Sequence, residues 1–277
     1  MSLKSKIYKG FKNFANSKAS RNSDFGSRIF IYHNVGDGQV DAFEKQMVIL
    51  KSEFDGFVNV TEFVKLVQDG LLNSKKIACI TFDDGFYDVY KNAKPILDKL
   101  NISATIFLNQ MLYELTNEHP EKLEGFVNDK FPRLSRSHQN LRGLTAVQLK
   151  EFIEDDYEIG GHTYSHVSVS KIKGSLFEQE ITNQRQFLKD NFGYVIKSFA
   201  YPYGRKKDIP SWGAKILKNC GYTSGFTGIS QDISKFERIN QFEFPRTSVS
   251  LNISEQEFRN LIKGSADILD KLTRQYK

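Results

Sequence analysis

Short apolar runs alternate along the chain with stretches whose apolar residues recur at helical spacing. Runs at Arg28 to His33, Ile77 to Phe82, Ile102 to Leu108, Tyr157 to Gly160, Ile196 to Tyr201, Tyr222 to Phe226 and Phe244 to Val249 predict buried strands. Between them Phe43, Met47 and Leu50 fall on one helical face, as do Phe177, Ile181 and Leu188. Asn59 with Glu62, Thr145 with Gln148, and Ser254 with Glu257 have the spacing of capping boxes and open further helices. Pro95 must kink or divide the helix expected over residues 87–100, and Gly221 closes the one expected over residues 212–219. Strand–helix alternation of this kind, with about seven to eight strands, predicts parallel pairing through right-handed crossovers. No Gly-x-Gly-x-x-Gly or Walker sequence occurs, which counts against a nucleotide-binding sheet. The expected fold is therefore an α/β barrel.

Two segments fall outside the alternation. Residues 109–143 are polar, show no clear period and are too long for an ordinary connection, so a lid or insertion is expected there. Residues 1–27 are basic, with Ile7, Tyr8, Phe11 and Phe14 at helical spacing among lysines. That is a leader or a packed helix, with weak potential for membrane-surface contact. Residues 28–277 are expected to form a single barrel domain.

Composition narrows the classes. Of 277 residues, 39% are hydrophobic and 26% charged, ordinary values for a globular protein. The net charge of +6 is spread out rather than gathered in a basic block, which disfavours nucleic acid. No stretch approaches the about 18 apolar residues of a membrane span. No signal-like apolar core is present either, so the expected location is cytoplasmic, or extracellular if a leader has been removed. Cys79 and Cys220 lie in unrelated contexts and are expected as reduced thiols.

The strand ending at Phe82 runs into Asp83, Asp84 and Gly85. Adjacent carboxylates at the end of an apolar strand repel each other and resist desolvation, so either they form a solvated turn or something positive sits beside them. His162 and His166, four apart after Gly160 and Gly161, would reach one side of a helical turn and could share a metal ion. With Asp84 they make a two-histidine, one-carboxylate set with positions left open. His33, the aspartate pair, His162 and the turn Tyr201-Pro202-Tyr203-Gly204 all follow expected strands, and in a β/α barrel such positions converge on one face. His119 and His138 fall in the expected insertion and read as surface residues.

Thr81-Phe82-Asp83-Asp84-Gly85 and His162-Thr163-Tyr164-Ser165-His166 resemble the first two motifs of the polysaccharide deacetylase family, the NodB-homology domain of carbohydrate esterase family 4. Phe199-Ala200-Tyr201-Pro202-Tyr203-Gly204 resembles the third, in the form found in poly-N-acetylglucosamine deacetylases. The resemblance spans roughly residues 29–262 and implies a distorted (β/α) barrel that removes N-acetyl groups from N-acetylhexosamine units of a polysaccharide or glycan precursor. It implies Asp83 as general base and Asp84, His162 and His166 as ligands of one divalent metal. Zinc is the default, with nickel, cobalt and iron also compatible with these ligands. It places the Tyr203 N–H, beside Pro202, at the oxyanion.

Two departures stand out. No histidine follows His166 to supply the usual acid, and Tyr32-His33-Asn34-Val35 matches the early histidine of the poly-N-acetylglucosamine branch, which implies His33 as general acid. The arginine that often precedes the third motif is missing, and Arg246 in Phe244-Pro245-Arg246 is the substitute expected to orient Asp83. The alternatives are hydrolysis of a non-sugar amide at the same site, or a catalytically silent glycan-binding module.

Overall fold

The computed structural model describes residues 3–73, 75–137, 141–233 and 240–273. A helix, α1 (Leu3–Ser20), precedes the first strand and lies against the C-terminal helices, with Ala15 and Ala19 fully buried and Lys12 bonded to Glu257 at 2.9 Å. Tyr8 and Phe14 of this helix stay exposed.

The barrel begins with β1 (Arg28–Tyr32), followed by α2 (Val40–Glu53), a two-residue β2 (Gly56–Phe57), α3 (Val60–Gln68) and β3 (Ile77–Asp84). A π-helical turn over Val89–Ala93 leads into α4 (Lys94–Leu100), so Pro95 divides the helix as its position requires, sitting in the first turn where its missing N–H costs nothing. Next come β4 (Ala104–Leu108), three short helices α5 (Gln110–Asn117), α6 (Pro120–Lys130) and α7 (Pro132–Ser137), then α8 (Ala146–Glu154) and β5 (Glu158–Gly161). The remaining elements are α9 (Gly174–Phe192), β6 (Ser198–Ala200), α10 (Gly213–Asn219), β7 (Ser224–Phe226), β8 (Thr247–Ser248), α11 (Glu255–Ile262) and α12 (Ser265–Thr273).

The sheet runs β7-β6-β5-β4-β3-β1-β8, and every pairing is parallel. Phe244, just ahead of β8, bridges in parallel to Phe226 of β7, so one short segment touches both edges of the sheet. Closure through so little pairing distorts the barrel. Both sheet faces are covered, and β1, β3 and β4 are buried along their whole length. Alternation sorts their residues: Ile29, Ile77, Cys79, Phe107, Ala200, Phe226 and Phe244 cluster together, while Phe30, Ala78, Ile80, Phe82 and Ile106 join Phe43, Met47 and Leu50 of α2 in a second cluster.

The expected lid at residues 109–143 is a helical insertion, not an aperiodic segment. Its helices bury a small cluster of their own around Leu112, Val127, Phe131 and Leu141, joined by Phe86. His119 is half-exposed there, and His138 lies outside the described residues. Both cysteines are free. Among the described residues, no helix is long and apolar enough to cross a membrane.

Candidate active site

The first column of side chains comes from β3. Cys79, Thr81 and Asp83 share a face of the strand by alternation, and Asp84 would point the other way if the strand stayed regular. It does not: Asp84 and Gly85 both take φ of 76°, which swings the second carboxylate round to the same mouth. The φ of 76° favours glycine at position 85, and a Cβ there would also come 2.7 Å from Leu108 Cδ1.

The two aspartates then acquire different partners. Arg246, just ahead of β8, holds Asp83 with Nη1 2.7 Å from Oδ1 and Nη2 2.8 Å from Oδ2. The guanidinium is fixed in turn, donating to Thr81 Oγ1 at 3.0 Å and to the Thr227 carbonyl at 3.0 Å, with Phe107 against its face at 5.0 Å. Burial by itself would raise the Asp83 carboxyl, but Arg246 and His162 outweigh it and lower it to about 2.

Asp84 faces the histidines instead. Nε2 of His166 stands 3.1 Å from its Oδ1 and Nε2 of His162 stands 3.5 Å away. One ligand atom from each of the three residues lies within 4.8 Å of the others, and all three residues are buried. Burial pushes the His162 imidazole down to about 4, against the pull of Asp83 and Asp84, so the ring is neutral at neutral pH. Its Nδ1 lies 2.8 Å from the Ala200 carbonyl, which can only accept, so the proton sits on Nδ1 and Nε2 turns a lone pair toward Asp84. Among the described residues, neither buried oxygen of Asp84 receives a well-directed hydrogen bond. A buried carboxylate left in that state is costly, and a cation between it and the Nε2 atoms of His162 and His166 removes the cost. The donor set therefore fits a divalent metal ion.

The histidines are not on a helical turn, as their spacing predicted. Residues 162–168 form a loop in which Thr163 and His166 have left-handed φ of 60° and 53°. The four-residue spacing still brings the imidazole centroids to 5.2 Å, by a different backbone path.

The trio opens into a cleft of about 880 Å³ bounded by His33 and Asn34 after β1, the end of β3, Tyr203 to Arg205 after β6, Ser248 to Asn252 after β8, and Asp129 to Leu134 of the insertion. His33 is exposed on this rim and close enough for its charge to bear on both aspartates. Tyr203, φ 65°, projects its half-exposed ring over His166 at 5.0 Å. Pro202 is buried in the same turn, so of that pair it is Tyr203 that faces the cleft. The structure thus brings together His33, Asp83, Asp84, His162, His166, Tyr203 and Arg246. Of the aromatics with sugar-stacking potential, Trp212 packs on Phe177 and Tyr164 bonds Glu114, leaving Tyr201 in the lining but almost wholly buried.

The sequence marks residues 109–143 as a lid or insertion but does not show which of them wall the cleft. Phe131 packs its ring 4.8 Å from that of His166, and Lys130 beside it pairs with Asp129. The overlooked signal was Pro120 and Pro132, each at the first position of a helix.

The Asp-His-His trio and the arginine-clamped aspartate thus stand at the carboxyl ends of the strands of a distorted parallel β/α barrel, where such barrels carry their active sites. The polysaccharide deacetylase family model matches residues 72–225, and the chain belongs to that family. Similar proteins include the poly-beta-1,6-N-acetyl-D-glucosamine N-deacetylase of Staphylococcus aureus (strain MRSA252), 28% identical over 232 residues, covering 80% of this chain and 69% of that one. The enzyme of the same name from Staphylococcus epidermidis is 27% identical over 247 residues, covering 86% and 74%. Among solved structures, IcaB from Ammonifex degensii superposes with a TM-score of 0.66 at 21% identity, covering 88% of this chain and 98% of that one. The Streptococcus pyogenes deacetylase PplD superposes with a TM-score of 0.62 at 20% identity, covering 84% and 96%. At these identities the superpositions establish the shared fold.

Proposed function

We propose that the protein is a metal-dependent deacetylase of N-acetylhexosamine units in a glycan, with one divalent ion, zinc by ligand type, held by Asp84, His162 and His166. The observation that carries this reading is the division of two adjacent carboxylates: Arg246 holds one, and the other lies unsatisfied between two histidines. A bound cation would supply Lewis acidity to the acetamide carbonyl and to the attacking water. Asp83 acts as general base. Its bidentate clamp occupies one lone pair on each oxygen and leaves another free to take the proton of water. Held at about 2, Asp83 is a weak base but is ionised at any working pH, so its contribution is position. The backbone N–H of Tyr203 serves the oxyanion. His33, on the rim of the cleft, gives its proton to the amine nitrogen as the carbon–nitrogen bond breaks, releasing acetate and a free amino sugar.

The test pairs metal analysis with acetate release from N-acetylglucosamine oligomers, for wild type and Asp83→Asn. Metal in both proteins is expected, with activity in the variant down by about 10²–10⁴-fold. Metal without acetate from the wild type would turn the reading toward a different amide or a silent glycan-binding module. A wild type that takes up no metal would end it.

A further inference from the structure

The loop that carries the two histidines does not hold its shape through regular backbone hydrogen bonding. Residues 162–168 lie in neither helix nor strand, and Thr163 and His166 are both left-handed. That conformation is costly for a residue with a Cβ and worse for a β-branched one. Something outside the loop must impose it.

On one side the clasp is Asn109, at the end of β4. Its Nδ2 reaches the carbonyls of Thr163 at 3.3 Å and Tyr164 at 3.2 Å. On the other side it is α9. Gln184, fully buried, accepts from the His162 N–H at 3.1 Å and donates to the Leu108 carbonyl of β4 at 2.5 Å. Glu180, one turn earlier on the same helix face, accepts from both the N–H of Ser165 at 2.8 Å and its hydroxyl at 2.7 Å. The first histidine is thus held through its own amide, and the second through the residue just before it.

The rest of this helix face is apolar: Phe177, Ile181 and Leu188 are buried in the core. Two buried polar side chains among them are unfavourable unless their hydrogen bonds are needed, because apolar residues of similar shape would fill the space at less cost. The sequence also makes room for them. A Cβ at Gly161 would lie 3.0 Å from Gln184 Oε1 and 3.1 Å from the Tyr222 hydroxyl.

We infer that Glu180 and Gln184 are positioning residues that set the separation and direction of the His162 and His166 imidazoles and thereby the affinity of the metal site. The inference rests on the reading that Asp84, His162 and His166 hold a metal ion. Outer partners of this kind typically change metal affinity by about 10–100-fold when removed.

The experiment strips the protein of metal, returns Zn²⁺, and measures affinity by competition with a chromogenic chelator. It records the visible spectrum of the Co²⁺ form and the melting temperature of the metal-free form in parallel. Glu180→Leu and Gln184→Met are expected to weaken Zn²⁺ binding by about 10–100-fold and to alter the Co²⁺ spectrum. Glu180→Gln, whose amide oxygen still accepts from the Ser165 N–H, recovers most of both. Ile181→Val, a neighbouring core change, lowers the melting temperature and leaves affinity and spectrum unmoved. Should Glu180→Leu fail to fold, Glu180→Gln and Gln184→Glu carry the test, each with a smaller loss in the same direction. Affinities and spectra equal to wild type overturn the inference, as does a loss matched by Ile181→Val. A wild type that binds no metal overturns the underlying reading and this inference with it, whereas unchanged variants of a metal-binding wild type overturn this inference alone.

Discussion

Arg246 grips Asp83 through both carboxylate oxygens, at 2.7 and 2.8 Å, although 163 positions separate them in the chain. The contact joins the segment just ahead of the last short strand to the end of β3, and both side chains are almost wholly buried. A buried ion pair of this kind gives orientation more surely than stability, because each charge gave up its water to form it.

Breaking the pair from one side should therefore be expensive, and breaking it from both sides much less so. Arg246→Met leaves a buried carboxylate without its partner and is expected to cost about 3–5 kcal/mol in urea unfolding of the metal-free protein. Adding Asp83→Asn to that variant should return a large part of the loss, a coupling that a double-mutant cycle reads directly. Strict additivity would mean that the two residues do not depend on each other. Arg246→Lys keeps the charge without the two-pronged geometry, so acetate release should fall even where folding is intact.

The unsatisfied oxygens of Asp84 predict that metal stabilises the fold. With free Zn²⁺ a hundredfold above the dissociation constant, the wild type should gain about 2.7 kcal/mol of unfolding free energy. Asp84→Asn should gain close to none, and a chelator should reverse the gain in the wild type. Thermal melts with and without Zn²⁺ measure this. An equal gain in Asp84→Asn would place the ion elsewhere.

The barrel and the convergence of its motifs were legible because they rest on local rules. Continuous burial makes β3 an apolar run, and the capping pairs Thr145–Gln148 and Ser254–Glu257 form as their spacing required. Asn59 makes half of its expected box, accepting from the Glu62 amide. The path of the histidine loop was not legible. Its left-handed residues are Thr163 and His166, and a β-branched threonine does not announce such a conformation; the loop is held by contacts with Asn109, the Met111 N–H, Glu180 and Gln184. The helices inside the expected insertion were hidden for another reason. Its helices bury only a satellite cluster, so each carries few apolar positions and no run long enough to show a period.

That satellite cluster should open without the barrel. Phe131 touches Phe86 at 5.1 Å and Phe126 at 6.0 Å as well as the His166 ring. Phe131→Ala removes the ring around which the three helices meet. Hydrogen exchange should quicken across residues 110–137 while the amides of β3 and β4 keep their protection. Uniform loss of protection would show that the insertion is continuous with the core. Because the ring also walls the cleft, KM for oligomers should rise more than kcat falls.

Asp208, 2% exposed, accepts from Arg205 Nε at 2.6 Å and from Ser168 Oγ at 2.8 Å, and so ties the histidine loop to the turn that carries Tyr203. Burial would raise its carboxyl, but the hydrogen bonds from Arg205 and Ser168 outweigh that and hold it below the ordinary aspartate value. The sign follows from linkage. A carboxyl with a lower value in the folded state takes up a proton more readily when unfolded, so its contribution is present above the unfolded value and lost as pH falls through the folded one. Asp208→Asn cannot ionise, and at neutral pH it should be less stable than wild type by about 1.5–3 kcal/mol. In urea unfolding at a series of pH values, that gap should close as the pH falls below the usual aspartate range. Acid effects common to the rest of the chain cancel in the comparison. A gap that stayed constant down to acid pH would mean that shape, not the carboxylate's charge, joins the two loops.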